Sequence, residues 1–258
     1  MVKDVNKVLN KGYIKGYIKG LIKDINGTGK GIDKRVKKTI YLSLFVQFIT
    51  TLISLDGLNY ELNEKDNILK EILILEALVQ FVEGFFYVWV ILALKDLKIM
   101  TPRRYIDWFI TTPSMLLSTI IFMKYLEYKE NGRYEKMTII NFLKTDWENI
   151  KYIGFFNGMM LLFGYLGETN IMNNNKSVII GFIFFILSFE KIYSEYAIKS
   201  ELGKKLFKFL LIVWSLYGVA AVQGIITKNI MYNMLDIVAK NFYGLFIYYY
   251  ISQIGIRK

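Results

Sequence analysis

The chain has 258 residues, of which 54% are hydrophobic, and its formal net charge is +11 at pH 7. It contains no cysteine and no histidine, which excludes disulfide bonds, thiolate or imidazole metal sites and catalysis by an imidazole base. A charge this positive would favour nucleic acid as the partner of a soluble protein, but the basic residues lie in an N-terminal tail and between apolar segments. We therefore expect no metal, no nucleic-acid binding and no enzyme activity.

Residues 1–38 form a basic tail with eleven Lys or Arg residues against three Asp residues. Within it the repeat KGYIKGYIKGLIKDI spaces lysines and apolar residues four apart, which is typical of an amphipathic helix on an anionic membrane surface. Gly12, Gly16 and Gly20 disfavour a helix, so a partly disordered basic arm is an equal alternative. We separate this tail from a second domain, residues 39–258.

Seven apolar segments follow the tail, each close to the roughly 20 residues that cross a bilayer: 39–57, 68–94, 102–123, 149–166, 177–197, 206–227 and 230–252. They predict an all-α, multi-pass integral membrane protein with seven transmembrane helices in a lipid bilayer. Lys and Arg are concentrated after spans 3 and 5 and at the C-terminus, which places the N-terminus outside and the C-terminus in the cytoplasm. The basic tail alone would give the opposite orientation.

Span 7 carries two ionisable residues near its middle, Asp236 and Lys240. A charge at this depth costs on the order of 3 kcal/mol on insertion scales, which makes it a candidate functional group. Their four-residue spacing places both on one helix face. Taken alone, the pair fits a self-neutralising structural ion pair as well as a functional site.

Span 3 favours the functional interpretation, because Arg104, Asp107 and Thr111 share one face of it. If this face turns toward span 7, Lys240 meets two carboxylates. A desolvated lysine is suited to forming a Schiff base with an aldehyde, and its protonated form then needs the counterions that Asp107 and Asp236 supply.

The segments RRYIDWFITTPSMLL and LDIVAK resemble helices 3 and 7 of the microbial (type 1) rhodopsins. The resemblance implies that Lys240 binds all-trans retinal, that Asp107 is the primary counterion and proton acceptor, and that Asp236 is the second counterion. It also implies that Arg104 gates the outer side and that Thr111 is the hydroxyl partner of Asp107.

The resemblance extends to the other walls of a retinal pocket. WSLYG in span 6 resembles the family's W-x-x-Y-P, so Tyr217 would hydrogen-bond Asp236. Gly218 replaces the usual proline and Ala221 the usual second tryptophan, which predicts a roomier pocket there. Tyr87 is a plausible partner of the counterion group. The remaining residues that the resemblance assigns to the pocket are Trp108, Thr112, Met115, Asn157, Met160, Gly164 and Trp214.

The direction of ion movement depends on the residue that returns a proton to Lys240. Outward proton pumps of this family carry a carboxylic acid eleven residues after the first counterion, where this chain has Ser118. Serine does not titrate usefully, so reprotonation would use water or another carboxyl group and would be slow.

Span 2 offers a second route, because Glu76 and Glu83 lie seven residues apart, roughly 10 Å along one helix face. Asn229, at the outer start of span 7, would extend this polar path. Helix-2 glutamates together with the triplet Asp107, Thr111 and Ser118 resemble rhodopsins of giant algal viruses. Protonated or hydroxyl-paired glutamates in an ordinary bundle remain the alternative.

Three functions follow from these residues. The first is light-driven outward proton transport from the Lys240 Schiff base to Asp107, the second a light-gated cation channel past Glu76 and Glu83, and the third a photosensor. The transported species would be protons or cations, and the resemblance implies a homo-oligomer.

Overall fold

The computed structural model describes residues 33–93, 97–133 and 136–257, so nearly all of the basic tail lies outside the described residues. The α-helices are α1 (Lys34–Asp56), α2 (Ile68–Ala93), α3 (Leu97–Glu130), α4 (Ile139–Thr145), α5 (Trp147–Glu168), α6 (Asn174–Glu195), α7 (Glu201–Ala221), α8 (Ile225–Asp236) and α9 (Phe242–Ile254). A π-helical segment, Ile237–Asn241, joins α8 to α9. We call this continuous rod the seventh helix.

The chain forms a seven-helix bundle, in which α1, α2, α3, α5, α6, α7 and the seventh helix correspond to the seven predicted spans. Helix α3 extends past the predicted end at 123 because its last turns remain packed: Tyr125 and Leu126 are buried, and Lys124 pairs with Glu127 at 3.0 Å. Helix α7 ends at Ala221, before the predicted 227, because Gly224 is extended (φ −60°, ψ 150°) and starts α8.

A two-stranded antiparallel ladder closes one end of the bundle. Strand β1 (Tyr60–Glu61) follows α1, and strand β2 (Ile256–Arg257) follows α9. Arg257 also pairs with Asp56 at 3.0 Å, although both side chains are partly exposed. The end of the seventh helix is thereby tied to the α1–α2 connection.

The helices are apolar on the outside of the bundle and polar within it. Phe45, Phe81 and Phe109 are each more than 60% exposed, whereas Glu83 and Arg104 are fully buried. This is the distribution expected when lipid surrounds the bundle and ionisable residues face its interior. Among the described residues, four helical segments are long and apolar enough to span a membrane by length and composition alone: Lys34–Asn59, Glu64–Ile91, Met100–Glu130 and Asn174–Lys199.

Buried polar side chains recur on three helices at the same spacing. On α1, α2 and the seventh helix they follow one another at intervals of four, three and four residues, which keeps each set on one helix face. The three faces meet, and we call their residues the polar lane: Ser43, Gln47, Thr50, Ser54, Glu76, Gln80, Glu83, Tyr87, Asn229, Asn233, Asp236 and Lys240, together with Asn241.

Candidate functional site

Lys240 lies within the π-helical segment of the seventh helix. The N–H of Phe242 donates to the carbonyl of Ile237, five residues earlier, which inserts one extra residue into this turn. As a result Ala239, Lys240 and Asn241 are all buried, although consecutive residues of a regular α-helix point in different directions. Such π-segments occur frequently at functional sites.

The Lys240 ammonium contacts three carboxylates from three helices. Its Nζ lies 2.8 Å from Asp107 Oδ2 on α3, 3.2 Å from Glu83 Oε1 on α2 and 3.8 Å from Asp236 Oδ1 on the seventh helix. None of these side chains is more than 3% exposed. The sequence-based prediction of two carboxylates around Lys240 was therefore incomplete.

Asp236 is held mainly by groups other than Lys240. Arg104 Nη1 donates to Asp236 Oδ2 at 3.0 Å, the Tyr87 hydroxyl donates to the same oxygen at 2.8 Å, and the Tyr217 hydroxyl donates to Oδ1 at 2.9 Å. Asn233 accepts a further hydrogen bond from Arg104. Arg104 lies on α3 beside the lane, and we call this side of the site the Arg104 end of the lane.

Thr111 does not contact the Asp107 carboxylate as the resemblance implied. Its hydroxyl instead donates to the Asp107 backbone carbonyl at 3.0 Å, the usual alternative for a threonine within a helix. Asp107 Oδ1 has no hydrogen-bond partner among the described residues. The carboxylate is therefore positioned by Lys240, not by Thr111.

Glu83 and Glu76 have different surroundings, although both were predicted to line one path. Glu83 contacts Lys240 directly and accepts a hydrogen bond from the Gln47 amide. Glu76 lies about two turns away on α2 and accepts a hydrogen bond from the Ser118 hydroxyl. Ser118, which replaces a carboxylic acid of the family's pumps, thus has a carboxyl group beside it.

Asn229 lies at the far Arg104 end of the lane, away from both glutamates. Its amide donates to the Thr101 hydroxyl at 3.2 Å and to the Ile225 carbonyl at 2.8 Å. These bonds join the start of the seventh helix to the start of α3. Asn229 therefore extends the buried polar residues to the end of the bundle.

A mainly apolar cavity opens beside Lys240. Trp108 from α3 and Trp214 from α7 are among its walls, and all the residues that the resemblance assigned to the pocket line it except Asn157. Asn157 is adjacent, and its amide donates to the lining residue Thr112 at 2.9 Å. The apolar and aromatic lining fits a long polyene with its aldehyde carbon at Lys240.

The pocket is not roomier at Gly218. Phe182 on α6 occupies the space that the missing proline would leave, and a Cβ at position 218 would overlap its ring. Phe182 and Gly218 both line the cavity. At this point of the wall, Phe182 of the neighbouring helix therefore takes the place of the proline of the family.

Gly218→Ala is expected to lower the free energy of unfolding by about 1–3 kcal/mol, because the added methyl group overpacks against Phe182. Gly158→Ala on α5 is the matched control, since a Cβ there meets nothing within 4 Å and alanine is the better helix former. Thermal unfolding of the purified protein measures both. Equal effects of the two substitutions would contradict the packing explanation.

Several residues of the site were missed in the sequence because they are uncharged. Gln47, Thr50 and Asn233 are fully or almost fully buried and hydrogen-bond to Glu83, Asn241 and Arg104, respectively. Their four- and three-residue spacing on α1 and the seventh helix was the available signal. Apolar neighbours mask this spacing when spans are identified from average hydropathy.

The site is thus a buried lysine that faces carboxylates at the end of an apolar cavity, inside a bundle of seven helices. The chain belongs to the bacteriorhodopsin-like family, whose model matches residues 38–254. Members of this family are integral multi-pass membrane proteins that bind retinal through a lysine, and they are light-driven transporters or sensors rather than enzymes.

Solved structures show the same fold. The chain is similar to the viral rhodopsin OLPVRII (TM-score 0.71, 25% identity, covering 85% of this chain and 98% of that one). It is also similar in fold to a blue light-absorbing proteorhodopsin from Med12 (0.62, 19%, 84% and 96%) and to bromide-bound halorhodopsin from Halobacterium salinarum (0.62, 13%, 86% and 97%). Comparison with curated proteins gives no match.

Proposed function

We propose that this protein binds all-trans retinal at Lys240 and is a light-gated cation channel whose path follows the polar lane. One observation carries this proposal: buried polar side chains continue past Lys240 on the side away from Arg104, through Asn241, Thr50, Gln80 and Glu76. Ion paths through membrane proteins are lined by polar or charged groups that take the place of the ion's hydration shell.

Several atoms in this part of the lane lack hydrogen-bond partners among the described residues. They are Ser54 Oγ, both polar atoms of the Gln80 amide, Glu76 Oε2 and Asn241 Nδ2. A buried polar group without a partner costs roughly 1–3 kcal/mol. Water in the lane would satisfy both the donors and the acceptors of this set, and this favours a wet path.

Gly244 supports the same interpretation, because it makes room for the Gln80 side chain. A Cβ at position 244 would overlap the Gln80 amide nitrogen and would lie 3.6 Å from Ser54 Oγ. A glycine opposite this buried amide therefore leaves space for a polar side chain in the lane. An apolar side chain there would separate Gln80 from α9.

The charged groups of the lane, together with Arg104 and Asp107 on α3 beside it, favour cations over anions. Glu76, Glu83, Asp107 and Asp236 supply four carboxyl groups against two basic residues, Arg104 and Lys240. Carboxylates that line a path attract cations and repel chloride. The binding of bromide by the halorhodopsin of similar fold therefore does not carry over to this chain.

Retinal, when bound, supplies a light-driven isomerisation next to Lys240 Nζ. The chain's own residues do the rest. Trp108 and Trp214 confine the chromophore, the carboxylates of Asp107, Glu83 and Asp236 stabilise positive charge on Nζ, and Arg104 compensates Asp236. Movement of Nζ away from Glu83 would release the Glu83 contact that bridges α2 and the seventh helix, which would open the lane.

Outward proton pumping is the second candidate, favoured by the 2.8 Å contact between Lys240 Nζ and Asp107. In this case Glu76, beside Ser118, would be the group that returns a proton toward Lys240. Pumping was the first sequence-based prediction. We place it second because the structure adds a buried polar face on α1, which was not recognised in the sequence and which extends the polar lane past Lys240. The predicted orientation, homo-oligomer and photosensor role stay predictions.

Whole-cell photocurrents recorded against voltage distinguish the two candidates. A channel gives a current that reverses, and the reversal potential shifts by about 59 mV for a tenfold change in a permeant monovalent cation. A pump gives an outward current at every voltage. A current that never reverses would overturn the channel proposal and favour the pump.

Gln80→Leu is expected to reduce the photocurrent several-fold, because it replaces a buried amide of the lane by an apolar side chain of similar size. Absorption should be unchanged, since Gln80 does not line the retinal cavity. Gln223→Leu, at an exposed position between α7 and α8, is the control. An undiminished current in Gln80→Leu would show that ions take another path.

A further inference from the structure

We propose that Glu83 is a third counterion of the Lys240 nitrogen and that Glu83 and Asp107 share one retained proton. This inference rests on the proposed binding of retinal at Lys240, and it goes further by assigning Glu83 to the chromophore and not only to an ion path. Light absorption by the protein would then depend on a carboxyl group of α2.

The first support is geometric. Glu83 Oε1 and Asp107 Oδ2 contact the same atom, Lys240 Nζ, at 3.2 Å and 2.8 Å. Asp236 is farther from it, at 3.8 Å, and is engaged by Arg104 at 3.0 Å. By distance alone, Glu83 is a closer partner of Lys240 than the second counterion that the sequence indicated.

The second support is the count of buried charges. Arg104 compensates Asp236, and the Tyr87 and Tyr217 hydroxyls donate to the same carboxylate. Among the described residues, Lys240 then remains as the cation that contacts both Glu83 and Asp107. Two carboxylates that share one cation in a buried site retain a proton between them, because an uncompensated negative charge there is costly.

The remaining neighbours do not change this count. Gln47 on α1 donates an amide hydrogen bond to Glu83 and is neutral. Glu76, on the same face of α2, is engaged by Ser118. No other basic residue among those described contacts Glu83 or Asp107. Gln47 is therefore a positioning residue that orients Glu83 toward Lys240.

The first test is an acid–base titration of the absorption band in the retinal-loaded protein. The native protein should show a reversible shift to longer wavelength in acid, as the shared carboxylate pair takes up its second proton. Glu83→Gln should lose this transition or move it by more than one pH unit. Glu76→Gln, on the same helix face but not in contact with Lys240, should retain it.

The second test needs no retinal. In the Glu76→Gln background, which removes the signal of the neighbouring glutamic acid, infrared spectra of the retinal-free protein should contain a protonated-carboxyl band from the pair. Adding Glu83→Gln should abolish the band whichever of the two residues holds the proton, because Asp107 then pairs alone with Lys240. Glu83→Asp should keep a protonated-carboxyl band.

The outcomes are separable from those of the proposed function. If the native protein does not bind retinal, the proposed attachment of retinal at Lys240 is wrong. The infrared measurement on the retinal-free protein would still decide whether Glu83 and Asp107 share a proton. An acid transition that Glu83→Gln leaves in place, or a carboxyl band that survives in the double variant, would overturn the assignment of Glu83.

Discussion

Lys240→Arg is expected to abolish the visible absorption band completely. A guanidinium keeps the positive charge among Asp107, Glu83 and Asp236, so that these buried carboxylates remain compensated, but it is not a nucleophile toward an aldehyde. The variant should therefore fold and insert normally and fail only in chromophore formation. Absorption after addition of all-trans retinal measures the result, and circular dichroism verifies the fold.

Lys228→Arg is the matched control for this substitution. Lys228 is also buried in the seventh helix, but it pairs with Glu168 at 2.9 Å and does not line the retinal cavity. Arginine can replace it in this ion pair, so the absorption band should be retained. A visible band in Lys240→Arg, or its loss in Lys228→Arg, would contradict the assignment of Lys240.

Asp107→Asn is expected to shift absorption to longer wavelength and to stop light-driven proton transfer from Nζ to position 107. The substitution removes the carboxylate nearest to Nζ, at 2.8 Å, and leaves the more distant Glu83, at 3.2 Å, as its partner, so positive charge at that nitrogen is stabilised less in the dark state. A neutral amide at this position also cannot accept the proton. Absorption spectra and light-minus-dark infrared spectra measure the two effects.

Thr111→Val tests the same part of the site with the opposite expectation. The Thr111 hydroxyl donates to a backbone carbonyl and not to the Asp107 carboxylate, so its removal should shift the absorption far less than Asp107→Asn. If Asp107→Asn leaves the spectrum unchanged, Asp236 or Glu83 is the dominant counterion.

The sequence predicted the bundle well because membrane insertion requires long apolar segments, and these are visible without tertiary information. The fold class, the seven spans and the family are confirmed by the helices and by the family match over residues 38–254. The ends of α3 and α7 were wrong because side-chain packing and one extended glycine decide them.

The site residues that could be predicted from the sequence are mainly charged residues within recognisable motifs. Asp236 and Lys240 were placed together from their spacing, and their contact is present at 3.8 Å. Glu83 was recognised as a buried acid, but its contact with Lys240 depends on how α2 packs against the seventh helix. Spacing along one helix does not contain that information.

Two further features depended on geometry that no sequence pattern encodes. The π-helical turn that buries both Lys240 and Asn241 has no signature in the segment IVAKN. Phe182 on α6 fills the space beside Gly218 on α7, and this contact depends on how the two helices pack against each other. Both features contribute residues to the wall of the pocket, since Ala239, Lys240, Phe182 and Gly218 all line it.

The most direct test of the central claim is to locate the lysine that binds retinal. The purified protein is incubated with all-trans retinal and reduced with borohydride, which fixes the aldehyde carbon on the lysine nitrogen that it occupies, and the peptides are analysed by mass spectrometry. We expect a retinyl group on Lys240 and on no other lysine. A retinyl group on a different lysine, or none after uptake of retinal, would contradict the account.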